Sequence, residues 1–430
     1  MIPTTISFHD EITWKENDNV STTTTTTSST TTTTVLIGTT TVLQDFISNE
    51  NTEPHMKELQ LLEQKSILMA MLESITPTGT TTGTSTSTST STSSSSGCTS
   101  SFVVVDGGGS GNGANNSKNG SHQKLVLMCL PDHVTRNNHP WSVHTITEHL
   151  SKNIPPTKTK TTSRIIFCGS NVLDHVGALV TAVAKAFPVY SRKTSTSNDT
   201  NHDDNSDDNK SNSNNNSKER TIYLTFCNEK GQVQIPSSDV RVTALAAVEG
   251  IQLAARLVDM PPAELTTDVY AEICHEYAET LPGVTMKEIV AEELQQQGYG
   301  GIYGVGKAAT CPPRLIIMEY TPPPEVAAKN NNNNNNNNNS DDDNNTHIAL
   351  VGKAIVYDTG GLSLKPKVGM CGMKADMGGS AGLLGGFVAT VKSGEYPYKL
   401  TLLLCMAENA IGPTAFRNDD ILTLYSGYVQ

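Results

Sequence analysis

Apolar residues recur along this chain in two alternating rhythms. Continuous or alternating apolar runs predict strands at Lys124–Leu130 (KLVLMCL), Arg164–Cys168, Thr221–Phe226, Val284–Val290, Arg314–Tyr320, His347–Tyr357 and Tyr398–Ala407. Between them, apolar positions three and four apart predict helices at Trp141–Leu150 and Val172–Phe187, the latter through Val176, Leu179, Val180 and Val183. Ser238–Val258 reads as a strong amphipathic helix with Val242, Leu245, Val248, Leu253 and Leu257 on its apolar side, stopped by Pro261-Pro262. A further helix, capped by Thr267, runs to about Leu281. Ala291–Gln297 is a short helix ended by Gly298, and Gly378–Lys392 a small-residue helix. Strand and helix alternate in both halves, so the predicted fold class is α/β, with sheets covered by helices.

Polar tracts interrupt this pattern. Residues 21–34 are almost all threonine, 76–101 alternate Ser, Thr and Gly, 107–122 are Gly/Asn/Ser-rich, and 193–218 and 330–345 are Asn/Asp-rich. Such stretches offer too little apolar surface to offset their ordering entropy and are predicted to be disordered inserts. They divide the chain into an N-terminal α/β domain, 1–236, holding four inserts, and a C-terminal α/β domain, 237–430, holding one. About 330 residues remain for packed structure.

Charge narrows the partners. The balance is 30 Lys+Arg against 43 Asp+Glu, a net charge of -13, which argues against nucleic acid and anionic membrane as main partners. No apolar run reaches the ~18–20 residues of a membrane span. The first residues carry no charged segment followed by an apolar one, so a secretory signal is not expected. The 8 Cys are scattered without a CxxC pair and read as reduced thiols, which points to the cytoplasm.

Two stretches carry candidate chemistry. Gly301-Ile302-Tyr303-Gly304-Val305-Gly306-Lys307-Ala308 nearly fits a phosphate-binding loop, but Ala308 lacks the hydroxyl that would meet Mg²⁺, and no strand precedes it. A structural glycine turn is expected there. The second stretch, Val351–Gly379, places Lys353, Asp358, Lys365, Lys374 and Asp376 at strand ends and glycine-rich loops, where active-site residues of α/β proteins gather. Carboxylates are hard ligands for Mg²⁺, Mn²⁺ or Zn²⁺. By spacing alone the alternative stands that Asp358 forms a turn, Asp376 caps a helix and the lysines are solvated.

The second stretch also resembles a known signature. Val351-Gly352-Lys353-Ala354, then Tyr357-Asp358-Thr359-Gly360-Gly361-Leu362-Ser363-Leu364-Lys365, then Met373-Lys374-Ala375-Asp376-Met377-Gly378-Gly379 match the leucyl aminopeptidase (cytosol aminopeptidase, M17) family without a gap. Ala254–Pro262, Gly300–Ala309, Ala407-Glu408-Asn409 and Arg417–Ile421 match too, most closely in the "probable aminopeptidase-like" branch. The resemblance implies an N-terminal macro-like α/β domain and a C-terminal α/β/α metallopeptidase domain. It implies that two divalent ions, Mn²⁺ or Zn²⁺, are held by Lys353 as a neutral amine, by Asp358 as a bridge and by Asp376. Lys365 would steady the oxyanion, and Met373 would line the pocket for the N-terminal side chain. The implied reaction is release of N-terminal, leucine-like residues from peptides in the cytoplasm by metal-activated water, in a homo-hexamer.

The match has two departures. Ala354 stands where the family has Gly. The family's later Asn-Thr-Asp-Ala-Glu-Gly-Arg motif, whose Asp and Glu complete the metal sites and whose Arg holds bicarbonate, is expected beyond Gln430. The catalytic domain is therefore expected to be incomplete in this chain. Two readings follow: a fragment of an active aminopeptidase, or a catalytically inactive truncated homologue that serves as a binding or regulatory subunit.

Overall fold

In the first half of the chain, strands with apolar stretches such as Val35-Leu36-Ile37, Leu125–Leu130 and Ile165–Cys168 assemble into one sheet, as strands buried on both faces must. The structure, a computed structural model, describes residues 4–8, 32–75, 89–92, 99–106, 122–132, 139–154, 161–187, 189–190, 220–333 and 346–427. It forms two units, Met1–Arg241 and Val242–Gln430. The division falls inside the first turn of the helix Ser238–Asp259.

The strands of the first unit are β1 (Thr4–Phe8), β2 (Thr32–Thr39), β3 (Ser89–Thr92), β4 (Thr99–Asp106), β5 (His122–Leu130), β6 (Thr161–Cys168), β7 (Arg220–Cys227) and β8 (Val233–Gln234). They are ordered β1-β7-β6-β2-β5-β4-β3, with β8 paired to β7. The β1, β7, β6, β2 and β5 strands run parallel, while β4, β3 and β8 pair antiparallel with their neighbours. Alternation sends Leu36, Leu127 and Ile166 into a core with Leu43 and Phe46 of the helix Thr40–Ser48 and Leu68 and Met71 of the helix Lys65–Ile75. Their neighbours face the other way, where Phe167 stacks on Phe226 at 5.6 Å and meets Trp141 edge-on at 6.2 Å. Each such buried side chain contributes about 1.5–3 kcal/mol.

Register aligns Cys129, Gly38, Cys168 and Cys227 in one row across β5, β2, β6 and β7. These thiols are buried and unbridged. Burial pushes Cys129 up to about 12, so it packs as a small apolar residue.

Four of the five expected inserts are ordered in part. Within 76–101, Ser89–Thr92 and the start of Thr99–Asp106 form the antiparallel pair β3–β4, and β4 joins β5. Ser and Thr suit an edge strand whose hydrogen bonds come from the main chain, so composition alone misjudged them. Likewise Thr32–Thr34 and His122 belong to strands. Residues 193–218 lie outside the described residues, as do 21–31, 107–121 and 334–345. The first part of the last insert instead ends a helix, Pro324–Asn333.

The second unit holds β9 (Val284–Val290), β10 (Arg314–Tyr320), β11 (His347–Asp358) and β12 (Lys399–Asn409), ordered β11-β12-β10-β9. The β11–β12 pair is parallel; the others are antiparallel. A parallel pair needs a crossover. The helix Gly378–Ser393 supplies it, burying Ala381, Leu384, Phe387 and Val388.

Three local expectations change here. Gly300–Gly306 is a helix, not a turn. Its glycines admit close neighbours: a Cβ on Gly304 would lie 2.5 Å from Leu422 and one on Gly306 2.4 Å from Pro313. Packing thus overrides poor helix propensity. The cap of the helix Thr267–Thr280 is Thr266, whose hydroxyl accepts from Val269 N at 3.3 Å, while the Thr267 hydroxyl donates to Pro312 O at 2.8 Å. On Ser238–Asp259, Val248, Leu253 and Leu257 are buried, but Val242 and Leu245 are exposed. Among the described residues no helix is long and apolar enough to cross a membrane.

Candidate active site

Strand β11 delivers the first two candidate residues. Along β11 the side chains alternate, and Gly352 and Ala354 turn inward and are buried. A Cβ at Gly352 would meet Ser380 Cα at 2.8 Å. Lys353 therefore points outward, 62% exposed. Its Nζ donates to Asp376 Oδ1 at 2.7 Å. Asp376 is only 19% exposed, and its Oδ2 is buried with no hydrogen-bond partner.

At the end of β11 the strand turns sharply. Asp358 Oδ1 accepts from Gly360 N at 3.0 Å and from Asn409 Nδ2 at 2.8 Å, and its Oδ2 receives the Lys365 ammonium. Both glycines of Thr359-Gly360-Gly361 have positive φ, 85° and 62°. A side chain at Gly360 would put its Cβ 2.4 Å from Ser363 O. Only glycine takes this path without strain. The turn brings Lys365 back over Asp358, and the Lys365 N–H donates to Thr359 O at 2.9 Å.

Burial alone would raise the Asp358 carboxyl. The Lys365 ammonium, the Gly360 N–H and the Asn409 amide outweigh it and hold the carboxyl below the usual carboxylate range.

The two halves of the site are joined through one short turn. Lys365 Nζ also reaches Met373 Sδ at 3.3 Å. Met373 opens the 3₁₀ turn Met373–Ala375, and Asp376 N donates to Met373 O at 3.1 Å. Asp358, Lys365, Met373, Asp376 and Lys353 therefore form one continuous chain of contacts. All five residues singled out in the sequence are brought together. Asp376 does not cap the following helix: its cap position is Met377, which makes no side-chain cap.

Two contributors were not assigned a role from sequence. Asn409 binds Asp358 and the following turn. Lys374 Nζ donates to Val258 O and Asp259 O, both at 2.9 Å, and so ties the turn to the end of the helix Ser238–Asp259. A lysine beside helix-terminal carbonyls is a recognisable pairing, but nothing in the local sequence says which helix it meets. The Arg417–Ile421 segment also approaches the site, with Ser363 Oγ donating to Asn418 Oδ1 at 2.5 Å. An apolar cavity of about 330 Å³ opens beside Lys353, lined by Ile302, Val305, Val351, Ile355 and Ala407.

The arrangement has a defined chemical character. Two carboxylates and two amines meet at strand ends, with one carboxylate oxygen buried and unsatisfied. Such an oxygen is costly unless a cation or donor meets it. Carboxylate oxygens and a neutral amine suit a hard or borderline divalent ion, so these residues fit a metal. Among the described residues, no group of three or more His, Cys, Asp or Glu is clustered to hold one. The described donors are thus Asp358, Asp376 and Lys353.

Fold and site together define an α/β protein with a lysine–carboxylate centre at the carboxyl ends of its strands. Residues 252–429 match the catalytic domain of the cytosol aminopeptidase family. The chain is 37% identical over 305 residues to the "Probable aminopeptidase NPEPL1" of Mus musculus, covering 70% of this chain and 49% of that protein. It is 34% identical over 308 residues to "Leucine aminopeptidase 1" of Caenorhabditis elegans, covering 71% and 52%. Among solved structures, the leucyl aminopeptidase of Leishmania major in complex with actinonin superposes with a TM-score of 0.64 at 25% identity, covering 100% of this chain and 66% of that one. The chain belongs to the M17 leucyl aminopeptidase family, in its NPEPL1-like branch. It spans about half the length of the curated relatives it matches.

Proposed function

We propose that this protein is a metal-dependent aminopeptidase that releases N-terminal, leucine-like residues from peptides. The observation that carries the reading is the single contact chain from Asp358 through Lys365 and Met373 to Asp376 and Lys353, with Asp376 Oδ2 buried and unpartnered. Lys353, Asp358 and Asp376 would hold divalent metal, Mn²⁺ or Zn²⁺. When bound, such ions polarise a carbonyl and generate a nucleophile from water at neutral pH.

The remaining roles belong to the chain itself. Lys365 carries a positive charge at the centre of the site and would donate to a peptide oxygen as negative charge develops on it. Asp358, held from three sides, orients that ammonium. Met373 touches Lys365 and would flank the first side chain of a bound peptide, where its flexible thioether tolerates varied apolar shapes. Lys353 now sits as a donor against Asp376. To serve as a ligand its amine would have to shed a proton, which a nearby divalent charge favours. We further propose a cytoplasmic homo-hexamer, in keeping with the relatives' name as cytosol aminopeptidases, with bicarbonate as a possible further component of the complete site.

A second reading, a catalytically silent homologue that binds peptides or an intact paralogue, is favoured by the small donor set among the described residues. Hydrolysis of L-leucine p-nitroanilide separates the two. For the full-length protein the aminopeptidase reading expects turnover with Mn²⁺ or Zn²⁺, loss on chelation, recovery on re-addition, and no turnover of the N-acetylated substrate. No turnover with either metal would favour the silent homologue.

A further inference from the structure

The parallel pair β11–β12 keeps one register from His347↔Lys399 to Ile355↔Ala407. It then shifts, so that Asp358 lies opposite Asn409. Between these pairs β11 has two residues, Val356 and Tyr357, where β12 has one, Glu408. This is a bulge, the device by which a strand re-aims a side chain. Without it Asp358 would face Ala410, which has nothing to donate.

Asn409 meets the end of β11 through two separate groups. Its main-chain oxygen accepts from Thr359 N at 3.1 Å and from Thr359 Oγ1 at 2.6 Å. These bonds hold the turn and do not depend on the side chain. Its side-chain amide does something else: Nδ2 donates to Asp358 Oδ1 at 2.8 Å. A carboxylate takes donors only, so the amide must present its NH₂ here. The amide oxygen faces Gly361, where an added Cβ would come within 2.9 Å of it. The side chain is thus wedged between the glycine and the carboxylate.

With Oδ1 engaged by Asn409 and Gly360, the Asp358 carboxylate turns Oδ2 toward Lys365, whose ammonium occupies the position a metal would take. We infer that Asn409 is a positioning residue for the Asp358 carboxylate, fixing which oxygen is presented to metal. The inference rests on the metallopeptidase reading above. Groups that orient a ligating carboxylate typically affect affinity by about 10–100-fold when removed.

The test is isothermal titration of Mn²⁺ into the wild-type protein and into Asn409→Leu, Asn409→Ala and Asp358→Ala, with the melting temperature of each metal-free form. Leucine keeps the branching of asparagine at Cγ, with somewhat more bulk, and removes the donor. The expected result is Mn²⁺ affinity about 10–100-fold weaker in Asn409→Leu, with a melting temperature close to wild type because the main-chain bonds to Thr359 remain. Should leucine fail to fold, Asn409→Ala reads the same contact. Wild-type affinity in both folded Asn409 variants, together with loss of binding in Asp358→Ala, would overturn the positioning role and leave the metal reading standing. Binding in Asp358→Ala as tight as in wild type would overturn the metal reading and the positioning role with it.

Discussion

The two sheets of this protein solve different problems. The first is mostly parallel and built of residues such as Leu36, Ile37, Ile166 and Phe167 that are fully buried. Its thiols Cys129, Cys168 and Cys227 are buried and unbridged. In the second, β11 is the outermost of the described strands, with Val351 66% exposed and Lys353 62% exposed. Burial on both faces leaves no room for chemistry, because a charge there needs a partner at once. A strand that alternates buried small residues such as Gly352 and Ala354 with outward side chains can present lysines and carboxylates, and a glycine turn at its end can gather them. The contrast locates function where the hydrophobic pattern gives way to glycine and charge.

The sharpest way to break that contrast is to compare substitutions in the two sheets. On the aminopeptidase reading, Asp358→Ala in the full-length protein should abolish most peptidase activity, by at least about a thousandfold in kcat/KM, since metal-assisted stabilisation is worth several kcal/mol. Its urea-unfolding free energy should fall by only about 1–3 kcal/mol, because Lys365, Gly360 and Asn409 lose their shared acceptor while the core is untouched. A large loss of stability with little loss of activity would reverse the assignment.

Leu36→Ala in β2 should do the opposite. Deleting a fully buried leucine costs about 2–5 kcal/mol, visible as an earlier urea transition, while Mn²⁺ affinity in the second unit stays as in wild type. A parallel drop in metal affinity would show that the two regions are not separable in this way.

Gly360→Ala probes the seam between the two behaviours. Its φ of 85° disfavours any Cβ by about 1–2 kcal/mol, and the Cβ would press on Ser363 O. Stability should fall modestly and activity more, since Lys365 and Asp358 are displaced together. Equal activity in the variant would mean the turn tolerates movement without loss of the site.

The smallest effect belongs to His149, buried in the helix Val143–Asn153 of the first unit. Burial, then the nearby Lys152 charge, lowers its pKa below the ordinary 6.5. The folded state holds it neutral, whereas the unfolded chain takes up a proton as pH falls through about 6.5. Stability from this group is therefore present above that value and is lost as pH falls toward the folded pKa. Melting temperatures at pH 7.5 and 5.5 should diverge more for wild type than for His149→Gln. Equal slopes would remove His149 from the acid sensitivity of the first unit.

Much of this was legible in the sequence. Strands such as Lys124–Leu130 and Arg314–Tyr320 announced themselves because local apolar runs and turn residues agree with the final sheets. Lys353, Asp358, Lys365 and Asp376 stood out at strand ends and glycine-rich loops, but spacing alone left turn, cap and solvated roles open; their ligand roles, and Met373 altogether, came from the resemblance to the family signature. The misses share one cause. The Gly300–Gly306 helix exists because Leu422 and Pro313 pack against glycines that would otherwise weaken it. The Ser89–Thr92 strand exists because β4 offers it a hydrogen-bonding edge. Local propensity is worth only tenths of a kcal/mol per residue, so a distant neighbour decides such segments.

The sequence by itself determined the class of fold, the identity of the charged residues and their order along the chain. Those depend on periodicity and turn chemistry, which act over a few residues. Tertiary structure alone decided how the charges pair: Lys353 with Asp376, Lys365 with Asp358, and Asn409 with Asp358 across a bulged register. Pairing between strands depends on alignment over dozens of residues. A shift of one residue there sends a side chain to the opposite face.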